Sequence, residues 1–234
     1  EAEIETSHQS QPSVPGFSLL GNAVPDARSI DPRTNLNNQR WSQPVVFAGS
    51  TASLRVTHQL SPETRLRWHA ATQRLRNDDR VAFPFGCSAE NTFDRYCSDG
   101  SFDLRDYRSD NERRRNDAMD TSLQTRWQLG DVTHHLNTGL LISHYHSDLP
   151  PQAFNEAGTG TIDGLTVVSP AAESLSGGSQ TRERSVEWYL RDRIVFNEQW
   201  SLWAGLRHTA LRREARQSFI TPWLALAWQA TLHT

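Results

Sequence analysis

The stretch MDTSLQTRWQL, residues 119–129, decides the fold class. Met119, Thr121, Leu123, Thr125, Trp127 and Leu129 fall on one side of an extended chain, and Asp120, Ser122, Gln124, Arg126 and Gln128 on the other. A period of two with one apolar and one strongly polar side is a β-strand between two different environments. The same division recurs outward from it. In TRLRWHAATQRL, Leu66, Trp68, Ala70 and Thr72 oppose Arg65, Arg67, His69 and Gln73. In SVEWYLRDRIVF, Val186, Trp188, Leu190, Ile194 and Phe196 oppose Ser185, Glu187, Arg191 and Arg193, with Asp192 interrupting the apolar side. In WSLWAGLRHT, Trp200, Leu202, Ala204 and Leu206 oppose Ser201, Gly205, Arg207 and Thr209, with Trp203 as the exception.

These segments predict about eight strands: one ending near His8, then 44–60, 64–76, 112–129, 132–147, 181–196, 199–213 and 218–231. Several exceed the usual 3 to 10 residues of soluble strands. The turns around Pro62, Gly130 and Asn197 are tight, whereas 9–43, 77–111 and 148–180 read as long polar loops. Short turns at one end and long loops at the other describe an all-β, antiparallel transmembrane barrel wall with short periplasmic turns and long extracellular loops. A large β-sandwich also alternates, but its turns would fall closer together. Trp41, Trp127, Trp200, Trp223 and Trp228, at or near strand ends, are expected in the interfacial girdles of such a barrel.

Composition excludes other classes. A net charge of -3 gives no electrostatic footprint for nucleic acid. Mean hydropathy of -0.66 and 36% hydrophobic residues suit no helical membrane protein, and no run approaches the roughly 20 apolar residues of a membrane helix. All 24 basic residues are arginine, a bias that base composition explains as readily as function. The chain opens on EAEIETSHQS, polar from its first residue, with no signal peptide pattern.

The two cysteines, Cys87 and Cys97, stand in FPFGCSAENTFDRYCSDG, residues 83–100, among turn formers. A zinc site wants about four ligands and tighter pairs, and a redox pair is usually Cys-x-x-Cys. A loop-closing disulfide outside the reducing cytosol fits the spacing best. No His-Glu-x-x-His, Gly-x-Ser-x-Gly or phosphate loop is present, so no catalytic residues and no enzyme are expected. His144 and His146 share a face and could offer two nitrogens to a metal, although strand histidines are more often plain polar surface, and no metal site is assigned. His134 and His135 flank the turn at Gly130. Arg113, Arg114 and Arg115 leave the loop together and read as a solvated or lipopolysaccharide-facing patch rather than a ligand clamp.

ERSVEWYLRDRIVFNEQWSLWAGLRHTALRREA followed by SFITPWLALAWQ resembles consecutive barrel strands of TonB-dependent siderophore receptors. The resemblance rests on an acidic residue at Asp192, a short turn, a strand carrying Gly205, Leu206 and Arg207, and a following strand that starts near Thr221 and Pro222. QPSVPGFSLLG, DPRTNLNNQRWSQPVVF and RSDNERRRNDAM are also similar to loops and loop-to-strand joints of this family. The resemblance implies a plugged barrel of about 22 strands in the bacterial outer membrane. It also implies TonB-dependent uptake of a ferric siderophore as transported ligand, with no further cofactor. Residues 1–234 would then be a partial barrel domain. On that reading it would lack the plug, the TonB-contacting region, the remaining strands and the usual terminal aromatic, and its sheet would have two open edges.

The expected partners are ferric siderophore, outer-membrane lipid and, through the missing N-terminal region, the TonB complex, with no nucleic acid. Recognition of a ferric chelate calls for aromatics and arginines at the rim. The candidates are Phe83, Phe85, Arg95, Tyr96, Arg105 and Tyr107, with Phe93, Phe102 and Arg108 in the same loop; Trp41, and Tyr145 and Phe154 of a second loop, SHYHSDLPPQAFNEAGTG, are secondary candidates. The plainer alternative is that the cysteine bridge protects the loop and its aromatics pack on neighbouring loops. Two other function classes compete: a small eight-stranded outer-membrane pore or structural barrel, in which first and last strands would pair, and a soluble β binding module.

Overall fold

In the computed structural model, residues 1–172 and 174–230 are described. Ten strands form one antiparallel sheet: β1 (Ala2–Gln11), β2 (Gln43–Ser61), β3 (Thr64–Pro84), β4 (Ser101–Leu129), β5 (Val132–Leu149), β6 (Gln152–Thr161), β7 (Leu175–Ser176), β8 (Ser179–Val195), β9 (Trp200–Arg212) and β10 (Arg216–Trp228). The order β1-β2-β3-β4-β5-β8-β9-β10 is a meander, with β6 pairing the upper part of β4 and β7 pairing β6. β2 and β3, β4 and β5, and β8 and β9 pair as sequence neighbours because tight turns at 62–63, 130–131 and 197–199 join them. The Asn197 carboxamide closes the last of these by accepting from the backbone N–H groups of Gln199 and Trp200. Position 231, the far end of the last expected strand, lies outside the described residues.

Register aligns the alternation seen in sequence into two continuous faces, because cross-strand partners share a side of the sheet. One apolar row runs Leu66, Leu123, Thr138, Leu190, Leu206, Pro222, and the next runs Trp68, Thr121, Leu140, Trp188, His208, Ile220. The polar face holds Arg67, Ser122, Gly139, Tyr189, Arg207 and Thr221 in one row. From Met119 to Leu129 the apolar side covers about 33 Å of strand at roughly 3.3 Å per residue. A tilt of about 40° reduces that to about 25 Å, the height of the apolar band of a membrane barrel.

The strands outrun the sequence-based expectation. Residues 77–84 and 101–110 are not loop: β3 and β4 stay paired as far as Pro84↔Leu104, leaving only 85–100 as the connection. Alternation failed there because apolar side chains stand on both faces: Ala82 and Leu104 are buried on one, while Val81, Phe83 and Tyr107 stand on the other. The excursion at 148–180 likewise contains β6, which takes over the β4 edge at Arg108↔Ala153 once β5 has left it at Arg113↔Asp148.

The tryptophans correct the girdle assignment in two places. Trp127, Trp200 and Trp228 stand on the apolar side near the tight turns, Trp127 stacked on His134 at 4.9 Å and Trp200 on Trp228 at 6.0 Å. Trp223 instead lies on the polar side opposite Gly205. Trp41 is in a loop, donating from Nε1 to the Val168 carbonyl at 3.2 Å. The loop-side margin of the apolar band is marked by Trp68 and Trp188.

Candidate functional site

Above the apolar band the two faces of the β3–β4 ladder diverge in character. β4 carries one extra residue where Asn77↔Glu112 gives way to Asp79↔Ser109, and Asn111 takes φ 58°, a left-handed conformation that asparagine tolerates. The bulge exchanges the faces of β4. Without it Arg108, Asp106 and Leu104 would stand on the side of the polar wall. With it that side receives Ser109, Tyr107 and Arg105, opposite Asp79, Val81 and Phe83.

Phe83, Phe85, Tyr107 and the Phe154 contributed by β6 form a ring cluster there. Phe83 and Phe85 are 5.8 Å apart, and Phe154 sits 6.3, 6.2 and 6.4 Å from Phe83, Phe85 and Tyr107. Arg105 lies 5.9 Å over the Phe154 ring and 3.7 Å from Glu156. Phe83, Phe85 and Phe154 remain 39%, 43% and 50% exposed, so the cluster is an accessible aromatic patch with a guanidinium at its side.

The opposite side of the same ladder is a small closed core. Leu36, Ala82, Tyr96, Phe102 and Leu104 are buried together, with Phe17, Leu20, Trp41, Ile162 and Val168 packed around them. Buried amides fasten the 12–42 segment down: Asn37 accepts from the Ala82 N–H at 2.7 Å and donates to the Ser13 carbonyl, while Gln39 donates to the Thr166 carbonyl and accepts from the Val168 N–H. Burial pushes the Tyr96 phenol up to about 12, and its hydroxyl donates to the Gly16 carbonyl at 3.1 Å.

Of the residues singled out from sequence, Phe83, Phe85, Arg105 and Tyr107 are therefore brought together. Trp41 and Tyr96 are not; they belong to the loop core behind the ladder. Arg95 is held by Asp94 and by Asn22 at 2.7 Å, away from the cluster. Phe154 completes the patch, and only the β4–β6 pairing, invisible in sequence, reveals its central place.

Cys87 and Cys97 form a disulfide with Cα atoms 5.1 Å apart. It closes the 85–100 connection, which also contains a single 3-10 turn at Ser88–Glu90. Among the described residues the one group with metal-ligand proximity is Cys87, Glu90 and Cys97. Its sulfurs are committed to the bridge, and Glu90 accepts from the Ser98 N–H at 2.8 Å.

Below the cluster the polar face is cross-linked. Tyr189 fills the space over Gly139 and donates to Asp120 at 3.0 Å; Arg191 lies 4.8 Å over the Tyr189 ring; Arg207 pairs with Glu187 at 3.1 Å; and Arg193 lies 5.4 Å over Trp203. On the apolar side His134 pairs with Asp192 at 2.7 Å.

Residues 4–232 match the family model of the TonB dependent receptor-like β-barrel. The chain belongs to this family. TonB-dependent receptors are receptors and transporters, not enzymes. No curated protein sequence matches this family member. Among solved structures it is similar to the siderophore receptor PiuA from Acinetobacter baumannii, at 15% identity and a TM-score of 0.72, covering 98% of this chain and 38% of PiuA. It is also similar to the pyoverdine outer membrane receptor FpvA from Pseudomonas aeruginosa, at 14% identity and a TM-score of 0.70, covering 98% of this chain and 34% of that one. The ferric-catecholate import receptor Fiu from E. coli K12 follows, at 14% identity and a TM-score of 0.68, with 98% and 38% covered. At such identities the likeness is one of fold. This TonB-dependent receptor barrel chain spans well under half the length of these structures.

Proposed function

We propose that residues 1–234 form part of the wall and mouth of a TonB-dependent receptor in the bacterial outer membrane, one that takes up a ferric siderophore. The observation that carries this reading is the exposed patch of Phe83, Phe85, Tyr107, Phe154 and Arg105, on the sheet face continuous with the polar wall. Aromatic rings match the planar and apolar parts of an organic iron chelate, and a guanidinium matches its residual negative charge. Because the metal arrives already wrapped, no protein ligand to iron is needed. Solved relatives described as siderophore, pyoverdine and ferric-catecholate receptors support the substrate class.

The TonB complex and a plug would be met through regions outside these residues. A self-contained eight-stranded pore is the competing reading. It requires the first and last strands to pair, and β1 and β10 are instead the two edges of the sheet. Further strands would close the wall.

The test is made in the intact receptor carrying this chain. Ferric siderophores of the catecholate, hydroxamate and mixed classes are titrated against tryptophan fluorescence, with iron-limited growth as the second readout. One class should bind, and Phe154→Ala combined with Arg105→Gln should weaken it by about tenfold or more, the loss of one stacked, charge-assisted contact. Binding of a class with unchanged affinity in that variant would remove the patch from the site, and failure of every class would remove the siderophore reading.

A further inference from the structure

The ring cluster ends, toward the membrane, on a carboxylate that nothing in the fold neutralises. Along β3, Asn77, Asp79, Val81 and Phe83 share one side, opposite Glu112, Ser109, Tyr107 and Arg105 of β4. Asp79 therefore stands one row below Tyr107 and two rows below Phe83 and Arg105, about 13 Å along the strand from the guanidinium end of the patch. The neighbouring carboxylates all have a cation: Asp78 pairs with Arg76 at 2.9 Å, Asp106 with Arg80 at 3.0 Å and Glu112 with Arg114 at 2.9 Å.

The Asp79 carboxylate has no donor among the described residues, and its Oδ1 and the Asn77 Oδ1 beside it are closed to water without a hydrogen bond. Burial and the Glu112 charge push the Asp79 carboxyl up to about 6, which leaves it mostly ionised, and uncompensated, at neutral pH. A charge withdrawn from water without a partner is unfavourable, and ionisable groups left in that state concentrate at sites where a ligand completes them. At the other end of the patch Arg105 is incomplete in the opposite sense. Its Nε is closed to water without an acceptor, and Glu156 lies 3.7 Å from its guanidinium. The patch is thus polarised, cationic at the row of Phe83 and anionic at the row of Asp79.

We propose that the ferric chelate taken at this mouth carries a free basic group, an amine or a guanidine, and that Asp79 is the residue that selects it. The aromatic or anionic part of the chelate lies on Phe83, Phe154 and Arg105, and the basic arm runs down the sheet past Tyr107 to the Asp79 carboxylate. The Asp79 side chain is partly exposed, so it can be reached from the mouth. An ammonium there supplies the missing donors. An uncharged analogue leaves the carboxylate unpaired, and polar groups left unpaired in a binding site discriminate more strongly than a missing apolar contact. The inference rests on the siderophore reading and narrows its substrate class.

The experiment uses the intact receptor and two pairs of ferric chelates, each pair differing only in the charge of one nitrogen. One pair is ferrioxamine B and its N-acetyl derivative; the other is the iron complex of a bis-catecholate of spermidine and that of its N-acetyl derivative. Affinity is read by tryptophan fluorescence. In at least one pair the free amine should bind about tenfold or more tightly than its acetylated partner, and Asp79→Asn should remove that preference. Glu183→Gln, on the polar wall level with Gln73 and about 20 Å lower, should leave it in place. Because each preference is a ratio measured on one protein, a general loosening of the ladder would lower both affinities and not move it. Equal affinities within both pairs, or a preference that survives Asp79→Asn, overturns the proposal while the siderophore reading stands. Binding of neither pair overturns the proposal as well, and the titration of the three chelate classes then decides the siderophore reading separately.

Discussion

Trp223 occupies the space above Gly205, its direct cross-strand partner: a Cβ on Gly205 would stand 2.3 Å from the indole Cε2 and Nε1. The glycine of the Gly205-Leu206-Arg207 run is thus a place for a ring on the polar side of the next strand. Gly205→Ala should displace the indole and destabilise the sheet by about 1–3 kcal/mol, the usual range for overpacking. Adding Trp223→Leu should recover most of the loss. Denaturant midpoints of the intact receptor in detergent would check both, and an unchanged midpoint for Gly205→Ala would mean that the indole has room to move.

His134 and Asp192 form a polar pair on the apolar side, in reach of lipid. Taking one partner away leaves the other exposed to an apolar surrounding, so the two positions should be strongly non-additive. His134→Leu and Asp192→Leu are each expected to cost more singly than half the double variant, with a coupling of about 0.5–3 kcal/mol. A double-mutant cycle that sums to zero would show the pair to be independent neighbours.

Asp79 should give the upper ladder a pH dependence. Burial and the nearby Glu112 charge push its carboxyl up from 3.8 to about 6, and its Oδ1 has no hydrogen-bond partner. The folded state then holds a proton that the unfolded chain releases from about pH 4 upward. Stability attributable to Asp79 should therefore be greatest below pH 4, fall between pH 4 and 6, and stay low above. Asp79→Asn is expected to flatten that decline, read as hydrogen-exchange protection of 79–84 and 101–109 against pH. A variant as pH-sensitive as the parent would locate the effect elsewhere.

The Cys87–Cys97 bridge spans ten positions, worth about 3 kcal/mol in the chain-entropy model of loop closure. Replacing both cysteines with serine should leave the strand content unchanged while opening 85–100 to proteolysis. If siderophore affinity also falls, the bridge positions Phe83 and Phe85; if cleavage alone increases, it is a brace. Equal protease resistance of both forms would assign the loop's order to the packing of Tyr96 and Phe102 instead.

The wall was legible in sequence because one physical rule wrote it: residues 119–129 face two different solvents, and every strand beside them does too. The upper ladder was not. At 77–84 and 101–110 apolar residues stand on both faces, buried in the loop core on one and half-exposed in the aromatic patch on the other, so polarity carries no period, and the bulge at Asn111 reverses which residues of β4 share a side. Tyr107 and Arg105 were named from residue type alone. Trp41, Tyr96 and Arg95 fit the same types and went elsewhere, since no local signal separates a ring that packs under a loop from one that waits above it. The run Arg113, Arg114, Arg115, read from sequence as one patch, is divided by the strand: Arg114 stands on the polar side and pairs with Glu112 at 2.9 Å, while Arg113 and Arg115 stand on the other side opposite Arg76 and Arg74.

The aromatic patch also sits at the end of a long paired ladder rather than on a slack loop. From Ala70, level with Met119, to Phe83 the strand runs thirteen residues, about 43 Å at 3.3 Å per residue. A surface carried that far on continuous hydrogen-bonded backbone arrives at its height already ordered. For any molecule caught there, association should be governed by how often the two collide in the right orientation and little by waiting for a segment to fold. Capture should then be fast and only weakly temperature-dependent, with discrimination between ligands expressed in how long each one stays.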